Sequence, residues 1–394
     1  MSMRYCGLLL VLSYSLIGCS SVTTANHQLP DPTPLFIDNA FNYQSQPVET
    51  EEDIFALPDD VVRDMEQMVR PLPGAKEKTD ALLNYIFFLK GKRLNYDNAA
   101  TLTARETLRM QQANCLSLTV LSYSLAKAAD LTVAFQDVQI PEYWTQIRGA
   151  SLLNGHVNLK VKELQSPSTY GSTWFKNPGY VIDFDLETNK SHFPVRTISQ
   201  PEIVSMFYAN KSAQAMLEQN FNLAYAYLRQ ALTLYSVASD ALNNLAILYR
   251  QTGYLEEAEA VYLHGISLHP KSINMKANLA VLYRFRGMEE KAQWYERQVE
   301  DLRLANPYYH VMLGHEAMRD SQISKAEQSF QHALALEPTL TEAMAGLATL
   351  YFQQGRLEQS EKYLKLAGRH AQSLRDKERF NAKLDALMTL QAKL

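Results

Sequence analysis

Three residue types that cooperate in nucleophilic catalysis occur in order in the middle of the chain: Cys115, His156 and Asp183. A cysteine attacks as the thiolate, and it needs a base that takes its proton or pairs with its charge. An imidazole does this when a carboxylate fixes its tautomer and orientation. Asn114 precedes Cys115 at the start of an apolar helical pattern, so we expect Asn114 to cap that helix and the helix dipole to favour the thiolate. These residues predict a Cys-His-Asp site that forms a thioester.

The elements that must position these residues are helices followed by strands. Apolar spacing predicts helices over 58–69, 75–89, 103–111 and 116–129, and strands over 131–140, 156–161, 180–183 and 193–198. This order predicts an α+β domain, which we assign to residues 54–204. Asp185 competes with Asp183 for the third role. We prefer Asp183 because it directly follows the apolar run 180–182.

The surroundings of Cys115 resemble the transglutaminase-like superfamily over roughly residues 96–185. The resemblance rests on Thr-Ala-Arg-Glu-Thr-Leu at 103–108, Asn-Cys at 114–115 and Ser-Tyr-Ser-Leu-Ala-Lys-Ala-Ala-Asp-Leu at 122–131. It implies a papain-like cysteine domain in which Cys115 is the nucleophile, His156 the general base and Asp183 its orienting acid. It also implies that the backbone N–H of Cys115 helps to hold the oxyanion.

The chain departs from that superfamily at two places. Many members have glycine where this chain has Ala113, and many have an aromatic residue soon after the histidine, where this chain has Val157 and Asn158. These differences concern the surroundings of the predicted oxyanion site and leave the order of the three candidate residues intact.

The second half of the chain repeats itself with a period of 34 residues, in windows that begin at 205, 239, 273, 307 and 341. Small residues recur at the eighth and twentieth positions: Ser212, Ala246, Ala280, Gly314, Ala348, and Ala224, Ala258, Ala292, Ala326, Ser360. The pattern resembles the tetratricopeptide repeat, a helix–turn–helix unit of that length. It predicts an all-α solenoid of five repeats, 205–238, 239–272, 273–306, 307–340 and 341–374, followed by a capping helix at 375–394.

One face of this solenoid has a pattern that favours peptide binding. Asn210, Asn244 and Asn278 occupy the sixth position of the first three repeats, and Arg250 and Arg284 occupy the twelfth position of the second and third. In tetratricopeptide proteins that resemble this chain, such asparagines hold the backbone of an extended peptide. The arginines would add contacts to a carboxylate. We expect a peptide or protein partner here; the alternative is that asparagine is simply frequent at this repeat position.

The N-terminus is typical of an exported, lipid-anchored protein. Residues 1–18 carry one positive charge and an apolar stretch that is too short to span a membrane. The run Leu-Ile-Gly-Cys at 16–19 resembles the lipobox of bacterial lipoproteins, which implies that Cys19 is lipidated and begins the mature chain. The proline-rich residues 19–53 predict a tether. Because Ser20 resembles the outer-membrane sorting pattern, we expect an outer-membrane anchor facing the periplasm.

Composition and motif content indicate which partners and cofactors are not expected. The 394 residues are 46% hydrophobic and 20% charged, with a net charge of -4, so nucleic acid is not an expected partner. The sequence has no phosphate loop, His-Glu-X-X-His motif or Rossmann glycine pattern, so we expect no cofactor and no metal. If Cys6 is removed with the leader and Cys19 is lipidated, Cys115 is the one remaining thiol.

Two functions fit these observations. The first is a cysteine peptidase, amidase or transglutaminase-like acyltransferase that works through a thioester, with hydrolysis preferred over transfer to an amine. The second is a non-catalytic adaptor lipoprotein whose transglutaminase-like domain is degenerate and whose repeats recruit partners.

Overall fold

The computed structural model describes residues 29–87, 94–97, 99–139, 146–147, 150–151, 156–162, 180–183, 195–371 and 374–391. The predicted leader, the lipidation residue Cys19 and the alternative acid Asp185 lie outside these ranges. Among the helices within them, none combines the length and the apolar character needed to cross a bilayer.

Helices precede the main sheet in the N-terminal half, apart from two short strands. The helices are α1 (Glu51–Phe55), α2 (Asp59–Val69), α3 (Ala75–Phe87), α4 (Ala104–Met110) and α5 (Cys115–Ala128). The strands are β1 (Asn95–Tyr96), β2 (Gln112–Ala113), β3 (Val133–Val138), β4 (Gln146–Ile147), β5 (Ala150–Ser151), β6 (His156–Val161), β7 (Tyr180–Ile182) and β8 (Val195–Ile198). Within the described residues, the predicted helices and strands coincide with α2 to α5, β3 and β6 to β8 except at their ends, while α1, β1, β2, β4 and β5 are not predicted. The predicted positions 88–89, 140 and 193–194 lie outside the described residues.

Helix α5 is the centre of the N-terminal core. The helices α1 to α4 all pack against it, and so does the antiparallel sheet that the described strands form in the order β7-β6-β3-β8. The hydroxyl of Thr119 donates to the carbonyl of Val157 at 3.2 Å, and the ring of Tyr123 stacks on Phe135 with centroids 4.5 Å apart. The side chains of α5 are buried on almost every face of the helix. These contacts fix the start of α5 relative to β6.

Residues 200–370 form five consecutive helix pairs in the predicted repeat register. They are α6 (Gln200–Leu217) with α7 (Phe221–Leu234), α8 (Ser239–Gln251) with α9 (Leu255–Leu268), α10 (Ile273–Phe285) with α11 (Glu289–Leu304), α12 (Pro307–Arg319) with α13 (Ile323–Leu336), and α14 (Thr341–Gln353) with α15 (Leu357–His370). Helix α6 begins earlier than residue 205 because Ser199 and Glu202 form a capping box. The small residues at the eighth and twentieth positions are buried between helices, where a Cβ on Gly314 would lie 2.6 Å from the ring of Phe330.

One backbone position is left-handed in every repeat. The angle φ is 59° at Gln219, 88° at Gly253, 72° at Gly287, 58° at Ser321 and 71° at Gly355. Glycine adopts this conformation readily, which explains the three glycines that mark the predicted turns. Gln219 and Ser321 escape prediction because neither residue type signals a positive φ.

The stack ends with α16 (Leu374–Gln391), which covers the last repeat. Phe380 and Leu387 are buried against it. Leu390, in the final turn of α16, is 39% exposed.

Residues 33–50, here called the strap, lie against the first two helix pairs, where the sequence predicts only a tether. Phe41 of the strap is buried, and its ring stacks on Tyr225 with centroids 4.4 Å apart. The hydroxyl of Tyr249 donates to the carbonyl of Leu35 at 2.9 Å. A proline-rich composition predicts an extended chain but carries no information about the surface that the chain meets.

The two acidic residues of the strap, Asp38 and Glu49, both pair with residues of the repeats. Asp38 accepts hydrogen bonds from Arg229 at 3.0 Å and from the hydroxyl of Tyr225 at 2.8 Å. Glu49 pairs with Lys211 at 3.0 Å and accepts a hydrogen bond from the hydroxyl of Tyr227 at 2.7 Å. The strap therefore connects directly to the repeats before the chain enters α1.

We expect the strap to contribute to the stability of the folded chain. Phe41→Ala removes a buried ring and should lower the free energy of unfolding by about 3 kcal/mol. Asn39→Ala, an exposed residue of the same segment, is the matched control and should change it by less than about 0.5 kcal/mol. Urea unfolding measures both variants. Equal, small effects would show that the strap does not hold the repeats.

Candidate functional site

Cys115 is the first residue of α5 and is partly exposed. Asn114 caps the helix, because its side-chain oxygen accepts a hydrogen bond from the N–H of Ser117 at 2.8 Å. Its side-chain amide donates to the hydroxyl of Thr101 at 2.9 Å. This confirms the predicted cap, and it holds the thiol at the positive end of the helix dipole.

A second set of bonds fixes the loop that precedes α4 against the same helix end. The hydroxyl of Ser117 donates to the carbonyl of Ala100 at 2.9 Å and accepts from the N–H of Leu102 at 2.8 Å. The N–H of Asn114 donates to the same carbonyl at 3.2 Å. The sequence offers no signal for Ser117 or Thr101 beyond their polarity, since these bonds connect residues from two different elements.

The pairing of β6 with β7 determines where His156 and Asp183 meet. Leu159 pairs with Ile182, so the next position of this antiparallel register lies between Asn158 and Asp183. Alternation along β6 puts Asn158 and His156 on the same face of the sheet. Nε2 of His156 lies 2.7 Å from Oδ1 of Asp183, and Nδ2 of Asn158 donates to Oδ2 of Asp183 at 3.2 Å.

The imidazole of His156 also forms a hydrogen bond with Cys115. Since Nε2 faces Asp183, Nδ1 is the ring nitrogen left for the thiol. Burial lowers the pKa of His156, but the hydrogen bonds and charges of Asp183 and Cys115 outweigh it and raise the pKa from 6.5 to about 9. The three candidate residues are therefore in one chain of contacts, with a protonated imidazole beside the thiol at neutral pH.

A cysteine, a histidine and a carboxylate in this order of contacts form a group that nucleophilic catalysis can use. A positively charged imidazole beside a thiol favours the thiolate, which is the nucleophilic form. Within the described ranges, no three His, Cys, Asp or Glu side chains are grouped so as to hold a metal ion. Asn158 joins this group through Asp183, and the signal for it in the sequence is a polar residue between the apolar Val157 and Leu159 of β6.

The predicted asparagine ladder contacts the protein itself in two of its three positions. Nδ2 of Asn244 donates to the carbonyl of Ala209 at 3.0 Å, and Nδ2 of Asn278 donates to Oδ1 of Asn243 at 2.9 Å. Both bonds join the first helix of one repeat to the first helix of the preceding repeat. They favour a structural role for Asn244 and Asn278, whereas Asn210 is exposed.

The two predicted arginines differ in their surroundings. Arg284 pairs with Glu296 at 2.7 Å and with Glu289 at 3.6 Å, so a carboxylate ligand would compete with these glutamates. Arg250 is partly buried. Of these two positions, Arg284 is the weaker candidate for binding a partner.

Comparison with known proteins decides the nature of the C-terminal half. Family models described as tetratricopeptide repeat match residues 239–272 and 317–383. The C-terminal half is an array of tetratricopeptide repeats. Neither match includes Cys115, His156 or Asp183. No curated protein matches the chain.

Several solved structures, two of them described as TPR proteins, are similar to the chain at low identity. PilF of Pseudomonas aeruginosa is 15% identical over 50% of this chain and 93% of its own, with a TM-score of 0.26. YrrB, described as a TPR protein with an unusual peptide-binding site, is 15% identical over 45% and 92%, with a TM-score of 0.24. A thermophilic TPR protein of Thermus thermophilus is 22% identical over 46% and 98%, with a TM-score of 0.24.

The contribution of Asp183 to the raised pKa of His156 can be measured by substitution. Asp183→Asn removes the carboxylate charge, so the midpoint for titration of the His156 ring should fall from about 9 towards 6.5. A raised histidine pKa stabilises the fold fully below pH 6.5, and this contribution is lost as the pH rises through 9. The variant should therefore lose most stability at low pH.

Nitrogen-15 NMR of the histidine rings measures the midpoint, and urea unfolding at pH 6 and pH 9.5 measures the stability. Asp130→Asn, an exposed acid after α5, is the control and should leave both unchanged. A His156 midpoint that is the same in Asp183→Asn and in the wild type would contradict the assignment.

Proposed function

We propose that this protein is a cysteine-dependent hydrolase or acyltransferase, with Cys115 as nucleophile, His156 as general acid and base, and Asp183 as the carboxylate that orients His156. The observation that supports the proposal is the contact of one buried imidazole with Cys115 on one side and with Asp183, at 2.7 Å, on the other. The position of Cys115 at the start of α5 adds the helix dipole to this arrangement.

The reaction would proceed in two steps. The thiolate of Cys115 attacks the carbonyl carbon of an amide or ester, and the protonated His156 gives its proton to the leaving amine or alcohol. The carbonyl oxygen carries negative charge in between. The N–H of Cys115 belongs to the first turn of α5, where backbone N–H groups have no acceptor within the helix, and it would stabilise that charge.

The product of the first step is a thioester on Cys115. His156, now neutral, takes a proton from water, and the resulting hydroxide attacks the thioester, which releases a carboxylic acid and restores the thiolate and the imidazolium. An amine in place of water would give a transfer product. We favour water because it is abundant in the periplasm, where we place the protein.

The repeats are compatible with a protein-binding scaffold. We propose that they present a peptide or protein partner, with Asn210 and Arg250 as the better candidates of the predicted set, because Asn244, Asn278 and Arg284 already have partners within the chain. The competing proposal is a non-catalytic adaptor that uses the repeats alone. It is favoured by the fact that both family matches fall in the repeats.

We also propose that the protein is anchored to the outer membrane through a lipid on Cys19, on the strength of the lipobox-like run. The strap begins at Thr33, and an extended chain of this length reaches at most about 50 Å. The anchor would therefore keep the first two repeats close to the membrane. Incorporation of radiolabelled palmitate into the wild type but not into Cys19→Ala tests this.

The catalytic proposal predicts how fast Cys115 reacts with iodoacetamide. At pH 6 the reaction should be at least about tenfold slower in His156→Ala than in the wild type, because only the thiolate reacts and the imidazolium favours it. His264→Ala, a histidine of the repeats, is the control and should leave the rate unchanged. Equal rates for wild type and His156→Ala at every pH would refute an activated cysteine.

The adaptor proposal makes the opposite prediction in cells. If the protein is an enzyme, Cys115→Ser abolishes its cellular function while the level of folded protein stays the same. If it is an adaptor, Cys115→Ser is silent, and the combined substitution of Asn210 and Arg250 by alanine abolishes the function.

A further inference from the structure

We infer that Asn158 is a positioning residue of the proposed site: its side-chain amide holds Asp183 so that one carboxylate oxygen stays directed at His156. This inference rests on the proposed function and deepens it. It concerns one of the two residues, Val157 and Asn158, that follow His156 in this chain.

The geometry supports a division of labour between the two oxygens of Asp183. Oδ1 lies 2.7 Å from Nε2 of His156, and Oδ2 accepts from Nδ2 of Asn158 at 3.2 Å. A carboxylate held at both oxygens cannot rotate about its terminal bond without breaking one of the two contacts. The strand register enforces the arrangement, because Asn158 lies opposite Asp183 and shares a face with His156.

The burial of these side chains shows why Asp183 needs a second contact. The side chain of His156 is 5% exposed, whereas that of Asp183 is 37% exposed and open to water. Water competes for the oxygens of an exposed carboxylate and favours other rotamers. Asn158 is itself buried, at 4% exposure, so its amide is a donor that water does not reach freely.

Burying the side-chain amide of Asn158 costs desolvation free energy unless the amide forms a hydrogen bond. Its neighbours Val157 and Leu159 are apolar and buried, and a leucine or valine at this position would avoid desolvating an amide. Its Oδ1 is buried and has no hydrogen-bond partner among the described residues. The bond to Asp183 is thus the interaction among the described residues that compensates for the buried amide.

A double-mutant cycle tests whether Asn158 acts through Asp183. Asn158→Leu keeps the branched shape of the side chain and removes the amide. The rate of Cys115 alkylation by iodoacetamide is measured from pH 5 to 10 in the wild-type and Asp183→Asn backgrounds. We expect Asn158→Leu to slow alkylation at pH 6 about tenfold in the wild type and less than about twofold in Asp183→Asn. Lys160→Gln, on the same face of β6, is the control and should have no effect.

The same factor in both backgrounds, or no effect in the wild type, would overturn the inference, because a merely structural residue acts independently of Asp183. Circular dichroism and urea unfolding establish that each variant is folded. If Asn158→Leu fails to fold, Asn158→Ala replaces it, since alanine removes the donor without adding a charge beside Asp183; the same pair of outcomes applies.

Failure of the proposed function gives a different result. In that case alkylation is insensitive to His156→Ala, while the NMR titration of the His156 ring still reports whether Asp183 is held. A midpoint that falls in Asn158→Leu supports the positioning role, and an unchanged midpoint contradicts it.

Discussion

The hydrogen bond between Nε2 of His156 and Oδ1 of Asp183 is the interaction on which the proposed chemistry of this molecule depends. It fixes the ring so that its other nitrogen faces Cys115, and it keeps the ring protonated at neutral pH. Without it, Cys115 would be an ordinary partly exposed cysteine at the start of a helix, with a modest dipole effect. The bond requires two strands to pair in one register and a helix to begin beside them.

The larger architecture keeps that geometry in place. Helix α5 is surrounded by α1 to α4 and the sheet, and Gln200 at the start of α6 connects it to the rest of the chain. The hydroxyl of Tyr123 on α5 donates to Gln200 at 2.9 Å, and Gln200 donates to Glu51 of α1 at 2.7 Å. At one end of the N-terminal half, the strap is bound to the first repeats and leads into α1. At the other end, Gln200 of α6 bonds to Tyr123 of α5 and to Glu51 of α1. The repeats are therefore connected to α5 from both ends of that half.

Local patterns in the sequence predicted much of this structure. The period of 34 residues defines the helix pairs, because each small residue at a helix contact and each turn glycine is a local requirement. Asn114 as a helix cap is equally local. The order Cys115, His156, Asp183 also identified residues that prove to be neighbours, since the residues at the ends of adjacent elements are the ones that an α+β arrangement brings together.

What the sequence could not provide are contacts between distant segments. The strap was predicted as a tether because no local rule pairs Phe41 with Tyr225 or Asp38 with Arg229. No local pattern in the sequence indicates the contacts of Asn158 and Ser117, because their partners belong to other segments of the chain. Asn244 and Asn278 fit a ligand-binding pattern, yet their amides bond to the first helix of the preceding repeat. A residue that recurs at one position of every repeat can contact the neighbouring repeat as well as a ligand, and the sequence does not distinguish the two.

The most direct test of the central claim is to look for the acyl group on Cys115. Purified protein is mixed with a peptide p-nitrophenyl ester, quenched in acid and analysed by intact mass and peptide mapping. The account predicts an adduct on Cys115 that forms at least about ten times faster in the wild type than in His156→Ala. An adduct that forms at equal rates in the two proteins, or that is absent from Cys115 of the wild type, would contradict it.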